Sequence, residues 1–237
     1  MTSWPPLRFL PAIFLVTLSV PSPSFAQTYT HRWSASSGLL PNQGCPAWVL
    51  VDNVAGNPVL GATFLTLSTP SPTSNNMYYQ LSAPKIVVAN PTVIEFRCRY
   101  VSGASSSVAR EPIMVNFHKG SFIVTSLAIG PDRVKLLNGD LSVGSSAAVD
   151  TDGGFHTYRL VNSGTSVQVF YDSNLLLTGA TYFNSNAGST VMIVWGEASG
   201  LAFGTSEWEY IEINNLVDPC AVPVTSSTWG RVKSQYN

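Results

Sequence analysis

The chain has 237 residues, a formal net charge of −1 and only 11% charged residues. That balance leaves no basic footprint for nucleic acid or an anionic lipid surface, so neither is expected as a partner. The length suits one large all-β domain or two small ones, with enough core to fold without covalent staples.

In chain order, the first element is a leader. Arg8 precedes the apolar run "FLPAIFLVTLSV", and "PSPSFA" follows, placing Ser24 and Ala26 at the positions a signal peptidase reads. The run is too short to span a bilayer, which takes roughly 20 apolar residues. No other stretch approaches a membrane span. We expect residues 1–26 to be a signal peptide and the mature protein to be secreted or periplasmic. No cysteine follows the cut to carry a lipid, and no N-x-[ST] sequon is present.

Beyond the leader there is almost no helical periodicity. Alternation with a period of two recurs instead, broken by Gly, Pro, Asn and Ser. Strands are expected at 47–52, 62–68 and 76–81. "TVIEFRCRYV" (92–101) is the clearest case: Ile94, Phe96, Cys98 and Tyr100 share one face, and Glu95, Arg97 and Arg99 the other. Further strands are expected at 112–118, 121–129, 155–161, 166–172 and 190–196. "DTDGG" (150–154) and "DSN" (172–174) have the chemistry of tight turns.

One-sided apolar patterning on so many short strands predicts two antiparallel sheets packed face to face. Their core should contain Ile94, Phe96, Cys98, Tyr100, Tyr158, Leu160, Val167, Val169, Ile193, Trp195 and Trp208. No linker or repeat divides the chain, so one domain is expected over 27–219, followed by a C-terminal tail over 220–237. The tail changes character after Pro223 and reads as a frayed end.

"DTDGGFHTYRLVNSGTSVQVFYDSNLLLTG" (150–179) resembles the strand–hairpin–strand core of laminin-G-like domains of the concanavalin A-like lectin/glucanase superfamily. Phe155-His156 stands for the aromatic-His pair that opens a strand there. Tyr171-Asp172-Ser173-Asn174 stands for the hairpin, with Ser173 where the pattern favours Gly. "WGEASGLAFGTSEWEYIEIN" (195–214) is similar to the closing strands. The resemblance implies an all-β, antiparallel two-sheet jelly-roll sandwich of concanavalin A-like type. It leaves the ligand open, because lectins, glycosidases, adhesion modules and spacers share the fold. In sandwiches of this type the terminal strands are neighbours, which brings together Cys45, before the first core strand, and Cys220, after the last. A Cys45–Cys220 disulfide is expected, with Cys98 left as a buried thiol.

Candidate chemistry is sparse. "SEWEYIEIN" carries Glu207, Glu209 and Glu212, an E-x-E-x-x-E spacing similar to the E-x-D-x-x-E of some glycosidases of the superfamily. Two carboxyls about 5 Å apart suit retaining hydrolysis, so a glycoside hydrolase or lyase using these three is one reading. It requires Glu209 to replace the family's Asp, and a catalytic strand at the end of the chain. The bland account is the solvent side of a closing strand, with a bulge near Tyr210 where the inward set changes from Trp208 to Ile211 and Ile213.

His156 falls in the inward register and reads as a hydrogen-bonded core histidine, whereas His118 falls outward with Asn116. Trp33, Trp48, Trp195, Trp208 and Trp229 are the indoles that could serve as sugar platforms, but Trp195 and Trp208 fall in inward registers, so core packing is the expected role. Arg97, Arg99, Asn116, His118, Arg159, Glu207 and Glu209 form a candidate ligand surface. No cofactor is expected. Asp150 and Asp152 are the candidate ligands should calcium bind. The function expected is that of a secreted, non-catalytic binding module for carbohydrate or another extracellular protein. A structural or adhesion module is the third reading.

Overall fold

In the computed structural model, which describes residues 29–53, 57–70, 76–105, 110–139, 142–197 and 200–217, the alternating segments are strands. The expected signal peptide and C-terminal tail lie outside these residues. The first strands are β1 (His31–Ser34), β2 (Val49–Asp52), β3 (Val59–Leu60), β4 (Leu65–Thr69) and β5 (Met77–Ser82). β6 (Thr92–Ser105), β7 (Ile113–Gly120), β8 (Ile123–Ile129), β9 (Arg133–Leu137) and β10 (Val143–Ala148) follow. The remainder are β11 (His156–Ser163), β12 (Ser166–Tyr171), β13 (Asn174–Ala180), β14 (Tyr182–Phe183), β15 (Val191–Glu197) and β16 (Ala202–Ile213).

Every pairing between them is antiparallel. The first sheet runs β13-β12-β11-β6-β16-β4-β3, with β1 paired to the end of β16. The second runs β10-β9-β8-β7-β15-β5-β2, with β14 paired to β8. This is an all-β, antiparallel two-sheet jelly-roll sandwich. Among the described residues no helix is long and apolar enough to cross a membrane.

The expected core is the observed one. All eleven side chains named from register are buried in a single cluster between the sheets. Rings connect the layers: Trp195 of the second sheet lies 4.8 Å from Trp208 of the first, 5.5 Å from Trp33 and 5.1 Å from Tyr79. Such contacts add roughly 0.5–1.5 kcal/mol each beyond the area they bury. Trp48 is equally buried, so these four indoles are packing groups.

Local chemistry explains the connections. β12 reverses into β13 through Asp172 and Ser173, both left-handed (φ 44° and 71°), a conformation glycine adopts without strain. The Gly favoured at the second position by the laminin-G-like pattern therefore has a backbone reason. β7 reverses into β8 through Ser121 and Phe122, also left-handed at φ 50° and 63°. β1, β3, β9, β10, β13 and β14 were not marked by alternation. β1, β3 and β14 are only two to four residues long, β9 is buried without a break from Val134 to Leu137, β10 alternates in burial but is built of small residues, and β13 is mostly exposed.

Candidate functional site

The residues nominated by sequence do not share one surface. Arg97, Arg99, Arg159, Glu207 and Glu209 stand on β6, β11 and β16 of the first sheet, whereas Asn116 and His118 stand on β7 of the second. Alternation sorts inward from outward residues but does not say which sheet a strand joins.

The outer face of the first sheet is a ladder of ion pairs. Arg99 Nε donates to Glu207 at 2.6 Å, Arg97 Nε to Glu209 at 2.7 Å, and Arg32 Nη1 lies 2.8 Å from Glu212. The expected bulge is present, as a register shift between Trp208 and Tyr210. It lets Trp208, Ile211 and Ile213 all face the core while the three glutamates point to the outer face, where Glu207 and Glu212 are largely covered. Burial pushes the Glu212 carboxyl upward, partly countered by Arg32. The opposing Glu95 accepts hydrogen bonds from Tyr29 (2.8 Å) and Tyr210 (3.2 Å). Arg159 lies over the Phe170 ring at 4.4 Å. Each acid of the E-x-E-x-x-E stretch thus has its own arginine.

Asp150 serves its turn. Its Oδ1 accepts the backbone N–H groups of Asp152 (3.2 Å) and Gly153 (2.8 Å), and these bonds, Gly153 foremost, hold the carboxyl below its usual range. Among the described residues no group of three or more His, Cys, Asp or Glu side chains is placed to hold a metal. His156 is half-buried, stacked 4.8 Å from Tyr171, with Nδ1 2.8 Å from Asp172 Oδ2. Cys98 is a buried free thiol, pushed well up by burial. Cys220 lies outside the described residues, and so does the expected bridge to Cys45.

The second sheet carries a cleft of about 240 Å³ on its outer face, over β7 and β8. Cross-strand register builds its floor: Asn116 sits opposite Ser126, and His118 opposite Val124. β14 pairs with β8 and places Tyr182 beside Val124, where its hydroxyl lies 2.7 Å from Ser126 Oγ. The half-exposed Tyr182 ring packs against Met114, Ala128 and Leu137, which are buried beneath it. Asn184, Asn186 and Ala187 close one wall, tied to the β7–β8 turn by the Asn184 N–H to Phe122 O bond (2.8 Å). Arg110 lines the cleft as well.

The electrostatics of the cleft are mild. Burial lowers the His118 pKa, so the ring is neutral near pH 7. Its Nδ1 is 3.2 Å from Ala187 O, which assigns the proton to Nδ1 and leaves Nε2 as an acceptor. Burial also raises the Tyr182 phenol, which remains a neutral donor. Asn116 Oδ1 is buried without a hydrogen-bond partner. Neutral amides, hydroxyls and an imidazole beside the Tyr182 ring can bind a ligand bearing both hydroxyls and C–H faces.

Asn116 and His118 were legible as outward polar residues. Ser126 could have been found by continuing the alternation of 121–129. Arg110, Tyr182, Asn184 and Asn186 lie on a loop, a two-residue strand and a wall segment without periodic signal. A second cleft of about 260 Å³ lies between Trp33, Trp48, Pro41 and Pro46, and it gathers fewer polar groups.

No family model matches the chain, and no curated protein matches it by sequence. Similar solved structures include the carbohydrate recognition domain of Emp46p in a metal-free form, at 12% identity and TM-score 0.44, covering 74% of this chain and 91% of that one. A β-glucanase of Bacillus licheniformis has 13% identity and TM-score 0.43, covering 71% and 92%. A native glycosidic hydrolase has 12% identity and TM-score 0.48, covering 77% and 94%. At these values the fold rests on the strand topology itself, and the cleft on its own geometry.

Proposed function

We propose that the chain is an exported, non-catalytic binding module of laminin-G-like type, whose ligand is a carbohydrate held in the cleft over β7 and β8. The observation that carries the reading is the convergence of Asn116, His118, Ser126 and the half-exposed Tyr182 ring on one floor. A buried, unpartnered amide oxygen costs free energy unless a ligand donor meets it, by about 1–3 kcal/mol. Sugar hydroxyls supply such donors, and the Tyr182 ring suits the C–H face of a sugar ring. The leader-like residues 1–26 support export.

The glycosidase reading finds less support. General acid–base work needs one free carboxylate and one held protonated, and Glu207 and Glu209 are each engaged by an arginine at 2.6–2.7 Å. A glycan array probed with the mature chain tests the proposal. Binding should fall at least about tenfold in the Asn116→Ala/His118→Ala variant and persist in Arg97→Gln. A blank array, or hits indifferent to the double substitution, would overturn it.

A further inference from the structure

We propose that the saccharide is anionic, with an acidic group received by Arg110 at the rim of the β7–β8 cleft. This deepens the proposed carbohydrate reading and rests on it.

Among the described residues nearly every Lys and Arg is already engaged. Arg32, Arg97, Arg99, Arg133 and Lys135 each meet a carboxylate. Lys85 donates to Ala47 O and Lys119 to Gly164 O, while Arg159 lies over the Phe170 ring. Arg110 is the one described cation with no carboxylate, carbonyl or ring partner, and it is the one that lines the cleft. No Asp or Glu lines the cleft to neutralise it. The next residue, Glu111, is buried against Lys135 and already committed.

The surroundings favour an anion without demanding a second charge. Arg110 acts on the Tyr182 phenol, countering part of the rise that burial imposes, so its field reaches the cleft floor. A half-exposed guanidinium keeps a planar fork of donors that matches a carboxylate or sulfate in two parallel hydrogen bonds. Asn116, Ser126 and Tyr182 remain for neutral hydroxyls. The set therefore fits a sugar with one acidic substituent, either the carboxylate of a uronate or a sulfate ester.

Calorimetric titration of the mature chain with galacturonate oligomers, the same oligomers reduced at the carboxyl, and sulfated galactan oligomers tests this. The acidic oligomers should bind at least about tenfold more tightly than the reduced ones, and added salt should narrow the gap. Tighter binding of the uronate assigns a carboxylate, and of the galactan a sulfate. Arg110→Gln should bring acidic and reduced oligomers to equal affinity, and Arg110→Lys should restore part of the preference. Arg97→Gln, on the opposite face, should leave it intact.

If reduced oligomers bind as tightly as acidic ones and Arg110→Gln changes nothing, the anionic inference falls while the carbohydrate reading stands. If none of the three ligands binds and the glycan array is blank, both fall. Circular dichroism of each variant confirms that a loss is not unfolding.

Discussion

Glu197 shows how a single side chain can set the pH response of a sandwich. It closes β15 on the core side and is fully buried. Its Oε1 accepts the Ser206 hydroxyl at 2.5 Å, and Ser206 Oγ in turn accepts the Trp208 indole N–H at 2.9 Å. Among the described residues no cation pairs with it, and burial pushes its pKa up to about 8 from an ordinary 4.5. The folded chain therefore holds a proton that the unfolded chain has released. Between those two values stability should fall as pH rises, on the order of 1 kcal/mol per pH unit from this group alone. Below about 4.5 its contribution is fully present, and above about 8 no further loss is expected. Melting temperatures measured from pH 5 to 9 should decline across that window in the wild type and flatten in Glu197→Gln. An equally steep decline in the variant would assign the slope to another group.

At the scale of the element, β16 answers what three glutamates are doing in a chain poor in charge. On a regular strand Glu207 and Glu209 would share a face and Glu212 would point into the core. The shift between Trp208 and Tyr210 moves Glu212 out to Arg32 and lets Ile211 and Ile213 in. The acids are thereby the outer half of a closing strand whose inner half is Trp208, Ile211 and Ile213. The Arg99–Glu207 and Arg97–Glu209 pairs are partly exposed, so each is worth at most about 1 kcal/mol. Glu207→Gln and Glu212→Gln should lower stability by no more than about 1 kcal/mol each. Neither should change the release of reducing ends from β-glucans, which we expect to be absent in the wild type. Robust cleavage lost in either variant would restore the hydrolase reading.

For the whole molecule, the ends of the chain meet where β1 pairs with the end of β16, His31 opposite Ile213. Cys45 lines a cleft with His31 and Trp33 of β1, so the chain leaves β16 close to Cys45. A Cys45–Cys220 bridge is the covalent prediction that follows. Closing a loop of about 175 residues contributes on the order of 5 kcal/mol in the chain-entropy picture. Peptide mapping without reduction should recover the two cysteines in one linked pair and Cys98 as a thiol reactive only after unfolding. Alkylation of Cys45 in the native, unreduced protein would end that prediction. Reduction should lower the melting temperature and leave the β-rich circular dichroism in place at low temperature.

The longer strands, their inward register and the β16 bulge followed from the sequence, because each depends on the order of side chains along one strand. Ile94, Phe96 and Cys98 alternate with Glu95, Arg97 and Arg99 whatever lies beside them, and burying the apolar set leaves one register open. Only the tertiary structure decided which strands share a sheet. Nothing in "IMVNFHKG" places it beside β15 rather than β6, yet that choice separates Asn116 and His118 from the arginines by the thickness of the core. The cleft depends on the same choice. It is assembled from β7, β8, β14 and a wall segment, and Arg110 and Tyr182 acquire a role only when the long-range pairing that brings them together has formed.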